Sequence, residues 1–258
     1  MADKDFLVYA GFNTAFDNTY FRKEAEDIIS HGLSGEVGSL YNQAGSTTDA
    51  LQTLKALEFD GPFVGAGGDL ETETRDFKRY GFDPYFYGID EPDDDDKMAD
   101  HILLSNKIHA AGGKVFTAIL KQTADRLDDP GDPFYDLTNP ETGKTFREEG
   151  ITSEPLDIAN YHATYLEYAT KESDEPLWDY IESLRDGTGT KNPKKEYFYR
   201  QFWFEKPLLN RLMPSFFLWT SHLDGVAPFT YSWGFDETAW GDPFDDMDST
   251  VCSDQGEC

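Results

Sequence analysis

An α/β fold in which eight parallel strands, each followed by a helix, close into a barrel is what this sequence predicts, and three observations carry the prediction. The chain has 258 residues, close to the roughly 250 typical of a (β/α)8 TIM barrel. Short apolar runs alternate with stretches of helical apolar spacing, the pattern of βα units around a parallel sheet. The runs number eight, and eight strands in this alternation close more readily than they stay open.

The elements follow in order. The first strand, Phe6–Phe12, rises directly out of Met1-Ala2-Asp3-Lys4-Asp5. That start has no basic segment, long apolar core or cleavage site, so the chain as written is expected to carry no export signal. Tyr20–His31 has helical spacing and stops at Gly32, as helices commonly do. Gly35–Leu40 is the second strand, Thr48–Phe59 its helix and Gly61–Gly65 the third strand. The glycines of Gly65-Ala66-Gly67-Gly68 lack the Lys-Ser/Thr of a P-loop and the full dinucleotide spacing, so no phosphate fingerprint favours an open sheet. Glu71–Tyr80 precedes the fourth strand, Tyr85–Asp90, and Lys97–Ala111 precedes the fifth, Lys114–Ile119.

Residues 122–155 are rich in Asp, Pro, Gly and Thr and too long for a mere connection. After a barrel strand, such a segment is expected at the catalytic end, where it either walls a substrate cleft or is a solvated insertion. Leu156–Tyr161, Glu196–Phe202 and Gly225–Trp233 are the last strands, with Tyr165–Leu184 and Leu208–His222 as the helices between them. The barrel is thus read over 1–241, and 242–258 as a polar, acidic tail. Because no eighth helix is evident there, either the last helix is missing or another segment covers strand eight.

Charge narrows the partners. Fifty acidic against 22 basic residues leave a formal charge of −28, which repels nucleic acid and anionic membrane surfaces. No apolar run approaches the roughly 18 residues needed to span a bilayer. A soluble protein is expected, and so large a surplus suits a saline habitat, where salt screens self-repulsion. The runs Asp93-Asp94-Asp95-Asp96 and Asp242-Pro243-Phe244-Asp245-Asp246 lack the spacing of a calcium loop and read as solvated surface. Cys252 and Cys258 lie in the last seven residues and take no part in the chemistry. The five histidines show no metal-ligand spacing, so neither metal nor cofactor is expected. Nothing in the sequence defines an oligomeric state.

The chemistry is placed at the end of strand four, where Tyr85-Phe86-Tyr87-Gly88-Ile89-Asp90-Glu91-Pro92 runs from aromatic residues into two adjacent carboxylates and a proline. Pro92 has no N–H to continue a ladder, so the chain turns there and exposes what precedes it. Successive strand residues point to opposite faces, so Asp90 and Glu91 share a cavity only if the backbone bends at the tip. The plain alternative is that the pair starts the next helix, where acidic side chains favour the dipole. Aromatic residues gather at two more strand ends, Tyr199 and Trp203 on strand seven and Tyr231 and Trp233 on strand eight. Flat rings pack against the C–H faces of pyranoses, while phenol and indole groups bond to sugar oxygens, so these four and Glu205 are candidate substrate-binding residues. Core packing is the competing role for each aromatic, and a surface turn with Lys206-Pro207 for Glu205.

Four segments occur in a telling order: Tyr87-Gly88-Ile89-Asp90-Glu91-Pro92, then Lys114-Val115-Phe116-Thr117, then Pro207-Leu208-Leu209-Asn210-Arg211, and finally Leu218-Trp219-Thr220-Ser221-His222-Leu223-Asp224-Gly225-Val226 leading into Tyr231-Ser232-Trp233. This arrangement resembles the catalytic domain of glycoside hydrolase family 123 and its DUF4091 relatives. The resemblance implies a (β/α)8 domain and a β-N-acetylgalactosaminidase or related β-N-acetylhexosaminidase acting by substrate-assisted retention on a carbohydrate. It implies that Glu91 is the general acid/base and that Asp90 orients the substrate's 2-acetamido group. Tyr199 or Tyr231 is the candidate to hold the acetamido oxygen. An anionic Asp90 beside Glu91 is expected to raise the apparent pKa of the acid, the two titrating as a coupled pair. The β-sandwich that commonly precedes the family's barrel has no counterpart in these residues. Two other functions stay open: a two-carboxylate retaining glycosidase with Glu205 as nucleophile opposite Glu91, and a carbohydrate-binding barrel without catalysis.

Overall fold

The structure, a computed structural model, describes residues 5–9, 22–23, 25–26, 29–30, 32, 35–37, 47–65, 67–152, 156–162, 175–190, 195–199 and 216–227. Trp203, Glu205, Tyr231, Trp233 and the tail 242–258 therefore lie outside the described residues.

Each predicted strand has its counterpart. They are β1 (Asp5–Tyr9), β2 (Gly35–Val37), β3 (Phe63–Gly65), β4 (Pro84–Tyr87), β5 (Lys114–Ile119), β6 (Ile158–His162), β7 (Lys195–Tyr199) and β8 (Gly225–Val226). All neighbours are parallel and follow chain order, and β8 pairs back onto β1. Tyr87 is in register with Phe116, Phe116 with Ile158 and Ile158 with Lys195. Carrying the offsets of the remaining pairs once round the sheet returns to β4 eight residues earlier. That stagger is what lets tilted strands close on themselves. The predicted α/β sheet of parallel strands, curled with its helices outside, is the observed architecture.

Five longer helices are described: α1 (Thr47–Ala56), α2 (Leu70–Tyr80), α3 (Asp95–Ala110), α4 (Lys121–Leu127) and α5 (Glu175–Asp186). Among the described residues, no helix is long and apolar enough to cross a membrane. The run Asp93–Asp96 has a structural task beyond its charge. The Asp94 side chain accepts from the Lys97 N–H at 2.8 Å and caps α3, Asp95 and Asp96 occupy its first turn, and Asp93 pairs with Lys97 at 2.6 Å. Carboxylates there complement the helix dipole.

Period-2 alternation sorts the side chains between two apolar layers. Val64, Tyr85, Phe116, Ile158, Tyr197 and Ala227 fill the interior of the curl. Their strand neighbours Phe86, Val115, Ala159, Phe198 and Val226 face outward into a core shared with α3, α4 and α5. That outer layer also buries a carboxylate. Glu196 accepts the Tyr161 hydroxyl at 2.8 Å and the Tyr180 hydroxyl at 2.9 Å, while the Lys121 ammonium stands 4.1 Å from the centroid of the Tyr180 ring. Hydrogen bonding to both phenols offsets much of the cost of burying the charge, and ties α4 and α5 to β6 and β7.

One expectation is corrected. Residues 128–152 do not follow a strand: Lys121–Leu127 forms α4 directly after β5, its Ala124 and Leu127 buried, so the segment connects α4 to β6 at the end opposite the strand tips. There Phe134, Tyr135 and Phe146 join the core beneath α3, and Glu141 pairs with Lys107 in the last turn of α3 at 2.6 Å. Arg147 gathers the segment by donating to the Asp136 carboxylate at 2.6 Å and to the Pro130 carbonyl at 2.7 Å. It is a folded insertion on the outer side of the sheet and not a wall of the mouth.

Candidate functional site

The tip of β4 is fastened to β5 beyond its last strand residue. Gly88 N–H donates to the Phe116 carbonyl at 2.8 Å and Glu91 N–H to the Ala118 carbonyl at 2.9 Å. Between them the Tyr87 hydroxyl donates to Asp90 Oδ1 at 2.6 Å, fixing one oxygen of that carboxylate. Both carboxylate residues are exposed, whereas Pro92 after them is buried.

Glu91 has φ +43°, a left-handed conformation for a residue with a side chain. Among the described residues two other non-glycine residues share it, Glu58 at +61° and His222 at +62°. Both close helical turns; at Glu58 the following Phe59 N–H bonds back to Leu54, a common helix ending. No helix ends at Glu91. The conformation there costs on the order of 1–2 kcal/mol.

Behind the tip stands His101 of α3, fully buried, whose Nδ1 accepts from Ile89 N–H at 3.3 Å. An accepting Nδ1 places the ring proton on Nε2, which lies 3.5 Å from Ser105 Oγ. Burial pushes this imidazole down from 6.5 to about 4, so it is neutral. Gly88 fits because it lacks a side chain: a Cβ there would lie 2.2 Å from Thr117 Oγ1 and 2.9 Å from the His101 ring.

His101 makes stability depend on pH in a defined window. The unfolded chain binds a proton near pH 6.5 and the folded one only near pH 4, so stability rises with pH between these values. The contribution is complete above pH 6.5 and is lost as pH falls through the window, by about 3 kcal/mol in all. Carboxylates held below their ordinary range, such as Asp132 beside Arg126, act at lower pH. Urea unfolding at pH 7, 5.5 and 4.5 reads the slope; His101→Gln is expected to lower stability at pH 7 and to flatten the dependence.

Polar side chains face inward at the same end. With a stagger of one residue per strand, Tyr87 of β4 is level with Asn160 of β6 and Ala227 of β8, and Ala118 and Tyr199 form the next layer toward the mouth. Tyr199 is buried, its ring centroid 4.9 Å from that of His162. Its hydroxyl is shielded and has no hydrogen-bond partner among the described residues. Leaving such a group unmet costs about 1–3 kcal/mol.

Of the predicted site residues, Asp90 and Glu91 thus share the β4 tip and Tyr199 lies inward near the mouth. Tyr87, Asn160 and His162 are additions. Strand parity offered the signal, since Tyr85 facing inward carries Tyr87 with it, and Asn160 and His162 are polar residues at alternate positions of an apolar strand. A cavity of about 410 Å³ among the described residues lies at the other end. Its lining includes Asp60, Phe63, Phe82, Asp83 and Lys195, at or before the starts of β3, β4 and β7, away from the face where barrels of this kind carry their chemistry.

No protein-family model matches the chain, and no curated protein does. Among solved structures it is similar to an endo-1,4-β-mannanase from Rhizomucor miehei, at 12% identity over 88% of this chain and 86% of that one, TM-score 0.45. It is also similar to a homocysteine methyltransferase from Escherichia coli, at 8% identity over 89% and 92%, TM-score 0.44. At these scores the likenesses say nothing of the reaction this chain performs.

Proposed function

We propose that the chain is a glycoside hydrolase on a complete (β/α)8 barrel, cleaving β-linked 2-acetamido sugars by substrate-assisted retention. The observation that carries the proposal is the β4 tip: Glu91 in a costly backbone conformation next to Asp90, whose carboxylate is oriented by Tyr87. Strain of this kind persists where surrounding structure enforces it, and it gathers at functional sites. The resemblance of the segment order to that of family 123 supports the same assignment.

The chemistry uses both carboxyls. Glu91 gives its proton to the leaving glycosidic oxygen as the acetamido oxygen attacks the anomeric carbon and the C–O bond breaks. Positive charge then spreads over an oxazolinium ring, whose N–H faces Asp90. Tyr87 occupies Oδ1 and so turns Oδ2 toward that N–H. Water next attacks the anomeric carbon and yields its proton to Glu91, restoring the acetamido group with retained configuration. The protein supplies no nucleophile of its own. Tyr199, with its buried hydroxyl, is the candidate donor to the acetamido oxygen, and galacto-configuration is the expected sugar by resemblance to the family.

Paired aryl β-glycosides with and without the 2-acetamido group, assayed at low and high salt, test the proposal. Turnover confined to the acetamido sugars supports it. Turnover of plain sugars that requires Glu205 points to a two-carboxylate mechanism, and absence of turnover in every salt overturns the enzyme reading.

A further inference from the structure

Glu73 is a buried carboxylate that the proposed reaction does not use. It lies in the first turn of α2, 7% exposed, and accepts three consecutive backbone N–H groups: Gly67 at 3.3 Å, Gly68 at 2.9 Å and Asp69 at 3.2 Å. A helix cap needs less than this. Asp69 already caps α2 by accepting from Thr72 N–H at 3.1 Å, and one side-chain bond back to the N-cap N–H completes a capping box. Here the carboxylate reaches two residues further back, into the turn that Gly67 makes at φ +75°. The strand leaves room for it: a Cβ on Gly65 would stand 2.9 Å from Glu73 Oε2.

The place of this turn gives it a consequence. It joins the end of β3 to the start of α2, and Gly65 is in register with Phe86 of β4, so it borders the strand tip that bears Asp90 and Glu91. Successive N–H groups turned toward one point form an anion cradle, and in this chain the anion is the protein's own side chain.

We infer that Glu73 is a positioning residue that holds Gly67, Gly68 and Asp69 as a fixed edge of the substrate mouth, an inference that rests on the β4 tip being the catalytic end. Glu73 touches neither of the two proposed catalytic carboxyls, so its removal loosens substrate binding and leaves the chemical step alone. Glu73→Gln keeps an accepting oxygen and has the milder effect.

The test uses the full chain carrying Glu73→Ala or Glu73→Gln, with steady-state kinetics on the acetamido aryl glycoside and melting curves over a formate series. Expected for Glu73→Ala is a KM about tenfold higher with kcat within about twofold. Formate should raise the Tm of that variant and restore most of its KM, while leaving the wild type unaffected. A lower Tm with unchanged KM and no response to formate would reduce Glu73 to a helix cap and overturn the inference, as would a fall in kcat alone. If the wild type turns over no glycoside, the proposed function fails separately, and the formate dependence of Tm still decides whether the three N–H groups form an anion cradle.

Discussion

Glu91→Gln is expected to lower kcat on acetamido glycosides by at least about 10³-fold while binding of the substrate persists. Glutamine keeps the shape and the hydrogen-bonding oxygen but has no proton of the required acidity to give the leaving group. The loss should be smaller for an aryl leaving group that departs without protonation than for an alkyl one, and that difference separates a general acid from a residue that only binds. Asp90→Asn should lose about 10²- to 10³-fold, because the amide cannot balance the charge of the oxazolinium. Glu91→Gly tests the backbone. A glycine adopts φ +43° without penalty, so the variant should be inactive yet as stable as the wild type, or more stable by up to about 1 kcal/mol. A site that gains stability when its acid is removed has kept that acid at a cost to the fold.

Gly88→Ala should be severely damaging for a single added methyl group. Its Cβ would stand 2.2 Å from Thr117 Oγ1, with the His101 ring at 2.9 Å. Thr117 and His101 are both fully buried, and Gly88 N–H is bonded to β5 at 2.8 Å, so neither side can give way cheaply. Overpacking of this severity costs about 3 kcal/mol or more, read from urea unfolding midpoints. Thr117 allows a check on the cause, because its hydroxyl is shielded and has no hydrogen-bond partner among the described residues. Thr117→Ala alone should therefore be mild, and combined with Gly88→Ala it should recover part of the loss, a non-additivity that only direct contact produces. Residual destabilisation in the double variant would measure the contact with His101.

How much of this was legible in the sequence follows from physical range. Strands were readable because alternation is local: Tyr85 inward and Phe86 outward need only a two-residue period. The turn at Asp90-Glu91-Pro92 was readable from proline chemistry, and the backbone at Glu91 there has a positive φ. The insertion after β5 was misplaced because Lys121–Leu127 has only seven residues, too few for periodicity to separate a short helix from loop. His101 was beyond reach for another reason. Its partner, Ile89 N–H, is twelve residues away, and only the docking of α3 on β4 brings the two together. The same holds for Glu73, whose role depends on a glycine turn that reads on paper as a failed phosphate loop. Tyr87 lay within the quoted motif, and strand parity combined with three-residue spacing to Asp90 could have assigned it.

Binding of a sugar-fused thiazoline, a stable mimic of the oxazolinium intermediate, tests the central claim most directly when followed by calorimetry on the wild type and on Asp90→Asn. The account predicts binding tighter than that of the parent 2-acetamido sugar by at least about 10²-fold, as expected of an intermediate mimic, with most of that advantage lost in Asp90→Asn. Binding no tighter than the parent sugar, by a protein that hydrolyses plain and acetamido glycosides alike, would contradict it.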